Sequence, residues 1–176
     1  MSLNNQVYIS YGSNMGDLKA NINQALALLT ADPKIQIERQ SAFYQTAPVG
    51  PVEQADFING ALKISTDYTP DQLLVVLHQI EHACRRERTI HWGPRTLDLD
   101  IIFFNELVLQ SATLVIPHPE AFKRLFVLVP ILEICGADFY QKTAIETQIA
   151  ILKQDQTQTI KRLEEVNDDR TSKSAN

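Results

Sequence analysis

The sequence predicts an α+β fold in which helices pack on an antiparallel sheet. Short β-rich or alternating runs mark strands, and two segments with apolar residues at helical spacing lie between them. Turn residues separate these pieces. The resulting order, β-α-β-β-α-β, is that of a split βαβ, ferredoxin-like sandwich. The chain of 176 residues can bury a core without disulfides or structural metal, and we assign residues 1–166 to a single domain.

The first half of the predicted fold is a strand, a helix and a second strand. Residues 7–11 (VYISY) form a short β-rich run that ends at Gly12. A helix that ends before Pro33 is predicted next, because apolar residues recur there at helical spacing: Leu18, Ile22, Ala25, Leu26 and Leu29. Apolar and polar residues then alternate over residues 35–44, which predicts the second strand.

The middle of the chain is predicted to form a loop, a strand and a helix. Residues 46–55 contain two prolines and a glycine, which indicates a shaped loop. Residues 57–65 form a third strand, with one face built from Ile58, Leu62 and Ile64 and the other from Phe57, Asn59 and Ala61. The second helix begins with a capping-box pattern at residues 69–72 and buries Leu73, Leu77, Ile80 and Cys84.

The last part of the predicted fold contains a fourth strand and a buried helix. The strand covers residues 97–104, and the final helix covers residues 125–134, with Pro130 near a bend or a boundary. Short strands at residues 107–109 and 113–115 are expected to extend the sheet. Residues 167–176 contain no large apolar side chain, so we expect a disordered tail there.

Composition limits the classes of function. A net charge of −5 argues against general nucleic-acid binding, which needs a basic surplus. The most apolar stretch, residues 125–135, is too short for a membrane span, and no secretory signal pattern begins the chain. We therefore expect a cytoplasmic protein without a membrane partner. Cys84 and Cys135 have no metal-binding spacing, and two buried free thiols are favoured over one disulfide.

A pair of aspartates indicates a metal site. Asp98 and Asp100 are two residues apart in the fourth strand, so both side chains point to the same face. Neighbouring carboxylates that bind only through oxygen suit Mg²⁺, which also takes water and substrate phosphates as ligands. The alternative is a half-exposed strand with an acidic outer face, which is the better explanation for an arbitrary DxD pattern. Here, arginines close to the pair favour the metal site.

Basic residues are concentrated just before the aspartates. Arg85, Arg86, Arg88 and Arg95 bracket a short segment, and arginine can hold phosphate oxygens with two hydrogen bonds at once. A single arginine at a helix end would be explained by the helix dipole alone, but four around one loop favour phosphate binding. Residues 12–17 (GSNMGD) lack the phosphate-loop pattern and are interpreted as a strand-to-helix turn.

These pieces together resemble the family of 6-hydroxymethyl-7,8-dihydropterin pyrophosphokinases, enzymes of folate biosynthesis. The resemblance covers about residues 7–140 and rests on YGSNMGD (11–17), FYQTAPVGPVEQADFINGAL (43–62), IE and RRER (80–88), WGPRTLDLDI (92–101) and the segment from PHP to FVLVPILEI (117–134). It implies a ferredoxin-like core, ATP as co-substrate and pyrophosphate donor, two Mg²⁺ ions, a reduced pterin as acceptor and a monomer.

The resemblance also implies roles for individual residues. Asp98 and Asp100 correspond to the metal ligands, and Arg86 and Arg95 to catalytic arginines. The ATP-binding positions are Glu81, Trp92, Arg95, Ile101, His118 and Arg124. The pterin-binding positions are Thr46, Val49, Phe57, Asn59, Trp92 and Phe126. A flat heterocycle fits between Phe57 and Phe126, and Asn59 can hydrogen-bond its pyrimidine edge. Two positions depart from the family pattern: Ala47 replaces a frequent proline, and Arg85 a frequent glycine.

Two other classes of function compete with this prediction. One is a ferredoxin-like, metal-dependent phosphohydrolase or nucleotidyl transferase that also uses an aspartate pair. The other is a nucleotide-sensing module without enzymatic activity, since a fold does not determine a function. Neither class needs an aromatic slot beside the metal, so the pterin-loop residues between Thr46 and Asn59 argue against both.

Overall fold

The computed structural model describes residues 3–13, 17–47, 56–84 and 97–163. The strands are β1 Asn5–Ser13, β2 Ile35–Gln40, β3 Tyr44–Thr46, β4 Phe57–Thr66, β5 Asp98–Phe104, β6 Leu109–Gln110, β7 Val115–Ile116 and β8 Ile160–Arg162. The helices are α1 Leu18–Ala31, α2 Pro70–Cys84, α3 Leu125–Ile134 and α4 Lys142–Gln154, and a short 3₁₀ helix spans Ala121–Lys123.

The main sheet is antiparallel and confirms the predicted fold class. Its strand order is β5-β1-β4-β3-β8, and β2 pairs with β4 beside β3. The four predicted strands therefore lie in the order fourth, first, third, second, as a ferredoxin-like chain requires. Each helix that connects two strands crosses over the sheet, so strands that are neighbours in space are separated in sequence.

Side-chain caps begin both crossover helices. Asp17 accepts a hydrogen bond from the Ala20 N–H at 3.1 Å and is the N-cap of α1, whereas residues 14–16 of the predicted turn lie outside the described residues. At the start of α2, the Thr69 hydroxyl accepts from the Gln72 N–H, and the Gln72 side chain accepts from the Thr69 N–H at 3.0 Å. This reciprocal pair is the predicted capping box.

Helices cover both faces of the sheet. On one face, α1 and α2 pack against apolar side chains of alternate sheet positions, including Val7, Ile9, Leu62 and Leu99. On the other face, α3 and α4 pack against a second apolar cluster around Phe103. Because both faces are covered, β1 is buried without interruption from Val7 to Ser13.

The second predicted strand is interrupted. Residues 35–44 were expected to be continuous, but β2 ends at Gln40 and β3 begins at Tyr44. The Glu133 carboxylate of α3 accepts hydrogen bonds from the Ala42 N–H at 2.8 Å and from the Tyr44 hydroxyl at 2.5 Å. The Glu133 carboxylate is the acceptor that replaces the sheet ladder at this point, so the break depends on a residue about 90 positions away.

Of two further predictions about secondary structure, the sheet assigned to the short strands was wrong, and Pro130 does not lie at a helix boundary. The short strands β6 and β7 do not extend the main sheet but pair with each other as a separate hairpin. Pro130 lies inside α3, whose buried apolar residues hold the helix together despite the lost backbone hydrogen bond. The helix at 125–134 is present as predicted, but it is followed by α4 and β8, which the sequence patterns did not indicate.

Three remaining predictions concern the thiols, the membrane and the tail. Cys84 and Cys135 are free and buried, as predicted, and burial raises the pKa of both thiols. Among the residues that the structure describes, no helix is long and apolar enough to cross a membrane. The predicted tail, residues 167–176, lies outside the described residues, so its disorder and the domain bounds stay predictions.

Gly60 is required by the close approach of Tyr11. The two residues are opposite each other in β1 and β4, and a Cβ atom on Gly60 would overlap the Tyr11 phenol ring. Tyr11 is only 2% exposed and is packed in the apolar core, so its ring has little room to shift. We expect Gly60→Ala to lower the free energy of unfolding by about 2 kcal/mol, the typical cost of overpacking a core.

Urea unfolding of Gly60→Ala and of a control, Gly136→Ala, would test this expectation. A Cβ on Gly136 meets only the Asp138 side chain, at 3.1 Å, and this side chain can move. The control should therefore be neutral or slightly stabilising, because alanine restricts the unfolded chain. Equal stability of Gly60→Ala and the unchanged protein would contradict the proposed overlap.

Candidate active site

At one end of the main sheet, a space remains between the strands and the helices on one face. A cavity of about 570 Å³ lies there, on the face that α3 covers. Side chains of four neighbouring strands reach it, and the start of α3 forms its opposite wall. From the sheet, the lining residues are Ser10, Tyr11, Gly12, Thr46, Ala47, Phe57, Asn59, Asp98 and Asp100. From the opposite wall they are Glu120, Lys123, Arg124, Phe126, Val127, Thr157 and Gln158.

The aspartate pair is arranged as the sequence predicted. Asp98 is half-buried and Asp100 is exposed, whereas Leu97, Leu99 and Ile101 between and beside them are buried in the core. Strand alternation thus places both carboxylates on the cavity side. Their oxygen atoms are the kind of ligand that Mg²⁺ prefers, so the residues present fit such an ion. Within the described residues, no group of three or more metal-ligating side chains occurs.

A row of three residues runs across the sheet at the floor of the cavity. Gly12 of β1 is opposite Asp98 of β5 on one side and Asn59 of β4 on the other. Asp98 and Asn59 are therefore separated by two strand spacings, about 10 Å. Gly12 has no side chain between them, and a Cβ atom there would lie 2.5 Å from the Asn59 Oδ1. The absence of this side chain makes room for the Asn59 amide.

The Asn59 side chain is held in one orientation. It is 4% exposed, and its Nδ2 donates a hydrogen bond to the Thr46 hydroxyl at 2.7 Å. Thr46 lies opposite Phe57 in the β3–β4 pair, so the amide, the hydroxyl and the aromatic ring form one corner of the cavity. A buried amide whose partner is fixed can present its remaining polar atoms to a ligand at little entropic cost.

The opposite wall combines a cation with an aromatic ring. The Arg124 guanidinium carbon lies 5.6 Å from the centre of the Phe126 ring, which is a cation–π contact. Phe57 and Phe126 both line the cavity and both are half-buried, as a slot for a flat ring requires. Burial raises the pKa of Tyr11, which also lines the cavity, to about 12.

A second cavity of about 340 Å³ lies next to the first, and Asp100 lines both. Three predicted ATP-binding residues line it: Glu81, Ile101 and His118. Arg124, also predicted to bind ATP, lines the first cavity instead. The described pterin residues among those predicted therefore line one cavity, three of the predicted ATP residues line the other, and Asp100 lines both.

A β-bulge and a hydrogen bond to helix α2 hold the edge strand β5 in place. The β1–β5 register shifts so that Ile102 has no opposite residue, and the Ile102 carbonyl accepts from the His118 N–H at 3.1 Å. The His118 Nδ1 accepts from the Glu120 N–H at 3.1 Å, which leaves Nε2 as the donor of a neutral imidazole. From α2, the Glu81 carboxylate accepts from the Leu99 N–H at 3.3 Å, between the two aspartates.

Several predicted site residues cannot be placed, and several cavity residues were missed. Val49, Arg86, Trp92 and Arg95 lie outside the described residues, so their roles stay predictions. Sequence patterns did not indicate Ser10, Glu120, Lys123, Thr157 or Gln158. Gly12 had no usable signal either, because its position opposite Asn59 depends on the register between β1 and β4. Thr157 and Gln158 had none, because the fold alone brings them to the site.

Known proteins resemble this chain over most of its length. A family model described as 7,8-dihydro-6-hydroxymethylpterin-pyrophosphokinase (HPPK) matches residues 8–136. The "2-amino-4-hydroxy-6-hydroxymethyldihydropteridine pyrophosphokinase" of Bacillus subtilis (strain 168) is 43% identical over 145 residues, which is 82% of this chain and 87% of that protein. The "Bifunctional protein FolKE" of Lactococcus lactis subsp. lactis (strain IL1403) is 52% identical over 145 residues.

The chain spans 42% of the length of that Lactococcus relative. Among solved structures, the HPPK-DHPS of Plasmodium falciparum, solved with pterin and p-hydroxybenzoate, has a TM-score of 0.62 at 15% identity. The match covers 86% of this chain and 44% of that one, and it shows the shared fold. Together these matches confirm the resemblance predicted from the sequence motifs.

Proposed function

Because the chain belongs to the 7,8-dihydro-6-hydroxymethylpterin-pyrophosphokinase family, we propose that it transfers pyrophosphate from ATP to 6-hydroxymethyl-7,8-dihydropterin. The products are AMP and the pterin diphosphate. The observation that carries the proposal is the position of Asp100, which lines both cavities. A donor in one cavity and an acceptor in the other would meet at the carboxylate pair. The predictions of a cytoplasmic monomer without a nucleic-acid or membrane partner are retained.

The first cavity suits the pterin. The ring would lie between Phe57 and Phe126, and the Asn59 amide would hydrogen-bond the pyrimidine edge. Asn59 and Asp98 are about 10 Å apart across the sheet, a span that a bicyclic ring with a one-carbon arm can bridge. The hydroxymethyl group would then point towards the aspartates. Val49 and Trp92 are retained as predicted parts of this pocket.

The second cavity suits the nucleotide. The His118 Nε2–H is a donor for a phosphate or ribose oxygen, since its Nδ1 is already occupied by the Glu120 N–H. Glu81 and Ile101 line the same space, and Glu81 in addition holds the edge of β5 through the Leu99 N–H. Arg124, which lines the first cavity, would supply positive charge for the phosphates.

Two Mg²⁺ ions would be held by Asp98 and Asp100, whose side chains share one strand face. When bound, such ions neutralise the phosphate charge and stabilise the charge that develops during transfer. The chain's own residues orient the two substrates in line and exclude water from the acceptor. Arg86 and Arg95 are proposed to stabilise the transferring group.

The bond changes define the products. The pterin hydroxymethyl oxygen forms a bond to the β-phosphorus of ATP and releases its proton to the solvent, while the bond from the β-phosphorus to the oxygen bridging it to the α-phosphorus breaks. That oxygen leaves with AMP. Attack at the γ-phosphorus would instead release ADP, so the products report which phosphorus is in line with the acceptor.

The deciding experiment is anion-exchange analysis of a reaction of the protein with ATP, Mg²⁺ and 6-hydroxymethyl-7,8-dihydropterin. We expect one AMP for each pterin diphosphate and no AMP without the pterin. Stoichiometric ADP without AMP would indicate a simple kinase. Inorganic phosphate released independently of the pterin would indicate the hydrolase, and binding without turnover the sensing module.

We expect Asp98→Asn and Asp100→Asn each to lower kcat by about a hundredfold or more, because each removes an anionic metal ligand. The melting temperature should change little, since neither side chain is part of the apolar core. Steady-state kinetics and thermal unfolding test both statements. The matched control is Asp67→Asn, an exposed residue just beyond the far end of β4. Near-native turnover of the folded double variant would overturn the metal assignment.

We expect Gly12→Ala to raise the KM for the pterin by roughly tenfold, because the new Cβ displaces Asn59 from the Thr46 hydroxyl and costs about one hydrogen bond. The KM for ATP should change much less, since Gly12 lines only the first of the two cavities. Gly136→Ala, distant from the site, serves as the control. A folded Gly12→Ala variant with an unchanged pterin KM would contradict the assignment of Asn59.

A further inference from the structure

The segment between α4 and β8 forms part of the wall of the first cavity. Thr157 and Gln158 line this cavity together with Asn59, Asp98 and Phe126. Both residues lie beyond residue 136, where the match to the family model ends. The pairing of β8 with β3 holds this segment beside the main sheet.

Gln158 makes two hydrogen bonds to the backbone on either side of Arg124. Its Oε1 accepts from the Leu125 N–H at 2.8 Å, and its Nε2 donates to the Lys123 carbonyl at 2.9 Å. Arg124 is the N-cap position of α3, and its own side chain makes no capping hydrogen bond. The first N–H groups of a helix need acceptors from outside the helix, and Gln158 supplies one from 33 residues away.

The backbone that Gln158 holds carries two predicted substrate contacts. The Arg124 guanidinium carbon lies 5.6 Å from the centre of the Phe126 ring, and both residues line the cavity. Arg124 lies between the two hydrogen bonds, and Phe126 follows Leu125 in the first turn of α3. A shift of this turn would displace the guanidinium and the ring together.

The segment that carries Gln158 is itself fixed to the main sheet, which forms the other side of the cavity. The strand β8 that follows it pairs with β3, with Ile160 opposite Thr46. Beyond β8, the Leu163 N–H donates to the Phe43 carbonyl at 2.8 Å. Thr46, on the same strand β3, orients Asn59. Gln158 therefore connects the strand that carries the polar corner of the cavity to the helix turn that carries Arg124 and Phe126.

We propose that Gln158 is a positioning residue for both substrates: it holds the first turn of α3 so that Phe126 faces the pterin ring and Arg124 faces the phosphates. This inference rests on the proposed function. It assigns no chemical step to Gln158, whose effect is on substrate binding through the backbone at Lys123 and Leu125.

The test compares Gln158→Met with Gln156→Met. Methionine is similar in length to glutamine but makes neither hydrogen bond, and Gln156 is exposed and does not line the cavity. For Gln158→Met we expect the KM for the pterin to rise by roughly tenfold, because the free energy of about one hydrogen bond corresponds to that factor. The KM for ATP should rise as well, with kcat changed by less than about threefold. Gln156→Met should match the unchanged protein.

A purely structural cap would behave differently. Loss of a cap alone lowers the melting temperature and the fraction of folded enzyme, which reduces the apparent kcat and leaves both KM values as they are. That result for Gln158→Met would overturn the inference. If Gln158→Met does not fold, Gln158→Glu decides, because it keeps the acceptor for Leu125 and loses the donor to Lys123. A raised pterin KM in this variant supports the inference, and unchanged KM values overturn it.

Failure of the inference and failure of the proposed function give different results. If the unchanged protein forms AMP and pterin diphosphate and Gln158→Met has the same KM values, only the inference fails. If the unchanged protein forms neither product, the proposed function fails and the inference fails with it.

Discussion

The pairing of β1 with both β4 and β5 is the constraint on which the rest of the structure depends. Through it, Gly12 lies opposite both Asn59 and Asp98, so an amide and a carboxylate share one row of the sheet at a separation set by strand spacing. Only glycine at position 12 leaves room for the Asn59 amide, because a Cβ atom there would overlap the amide oxygen. The same pairing places Tyr11 opposite Gly60. Two glycines in adjacent rows of the sheet therefore make room for a side chain: Gly12 for Asn59 in the site, and Gly60 for Tyr11 in the core.

The helix α3 connects the site to the remainder of the fold at both of its ends. Near its C-terminal end, Glu133 accepts hydrogen bonds from the Ala42 N–H and the Tyr44 hydroxyl. Burial is the main cause that raises the pKa of Tyr44, and the hydrogen bond to Glu133 raises it further. The short strand β3 that results carries Thr46 at the cavity. At the N-terminal end, Gln158 holds the turn that carries Arg124 and Phe126. Both walls of the cavity are thus attached to one buried helix.

Much of the site was predictable because it depends on strand alternation. Asp98 and Asp100, and likewise Phe57 and Asn59, are two residues apart, so each pair had to share a face. The capping box at Thr69 and Gln72 was predictable for the same kind of reason, since its partners are three residues apart. The break between β2 and β3 was not, because its cause, Glu133, is distant in sequence. The hairpin of β6 and β7 was assigned to the wrong sheet, since short strands carry no signal of their partner.

The sequence by itself determined the strands and helices that alternate with clear periods, the face on which each aspartate lies and the family to which the chain belongs. It did so because these features depend on residues a few positions apart, or on motifs as specific as WGPRTLDLDI. The tertiary structure alone decided that Asp100 lines two adjoining cavities, that Gly12 makes room for Asn59, and that Gln158 caps a helix 33 residues before it. These contacts join residues whose distance in space is set by packing of the whole chain, and no local pattern records such a distance.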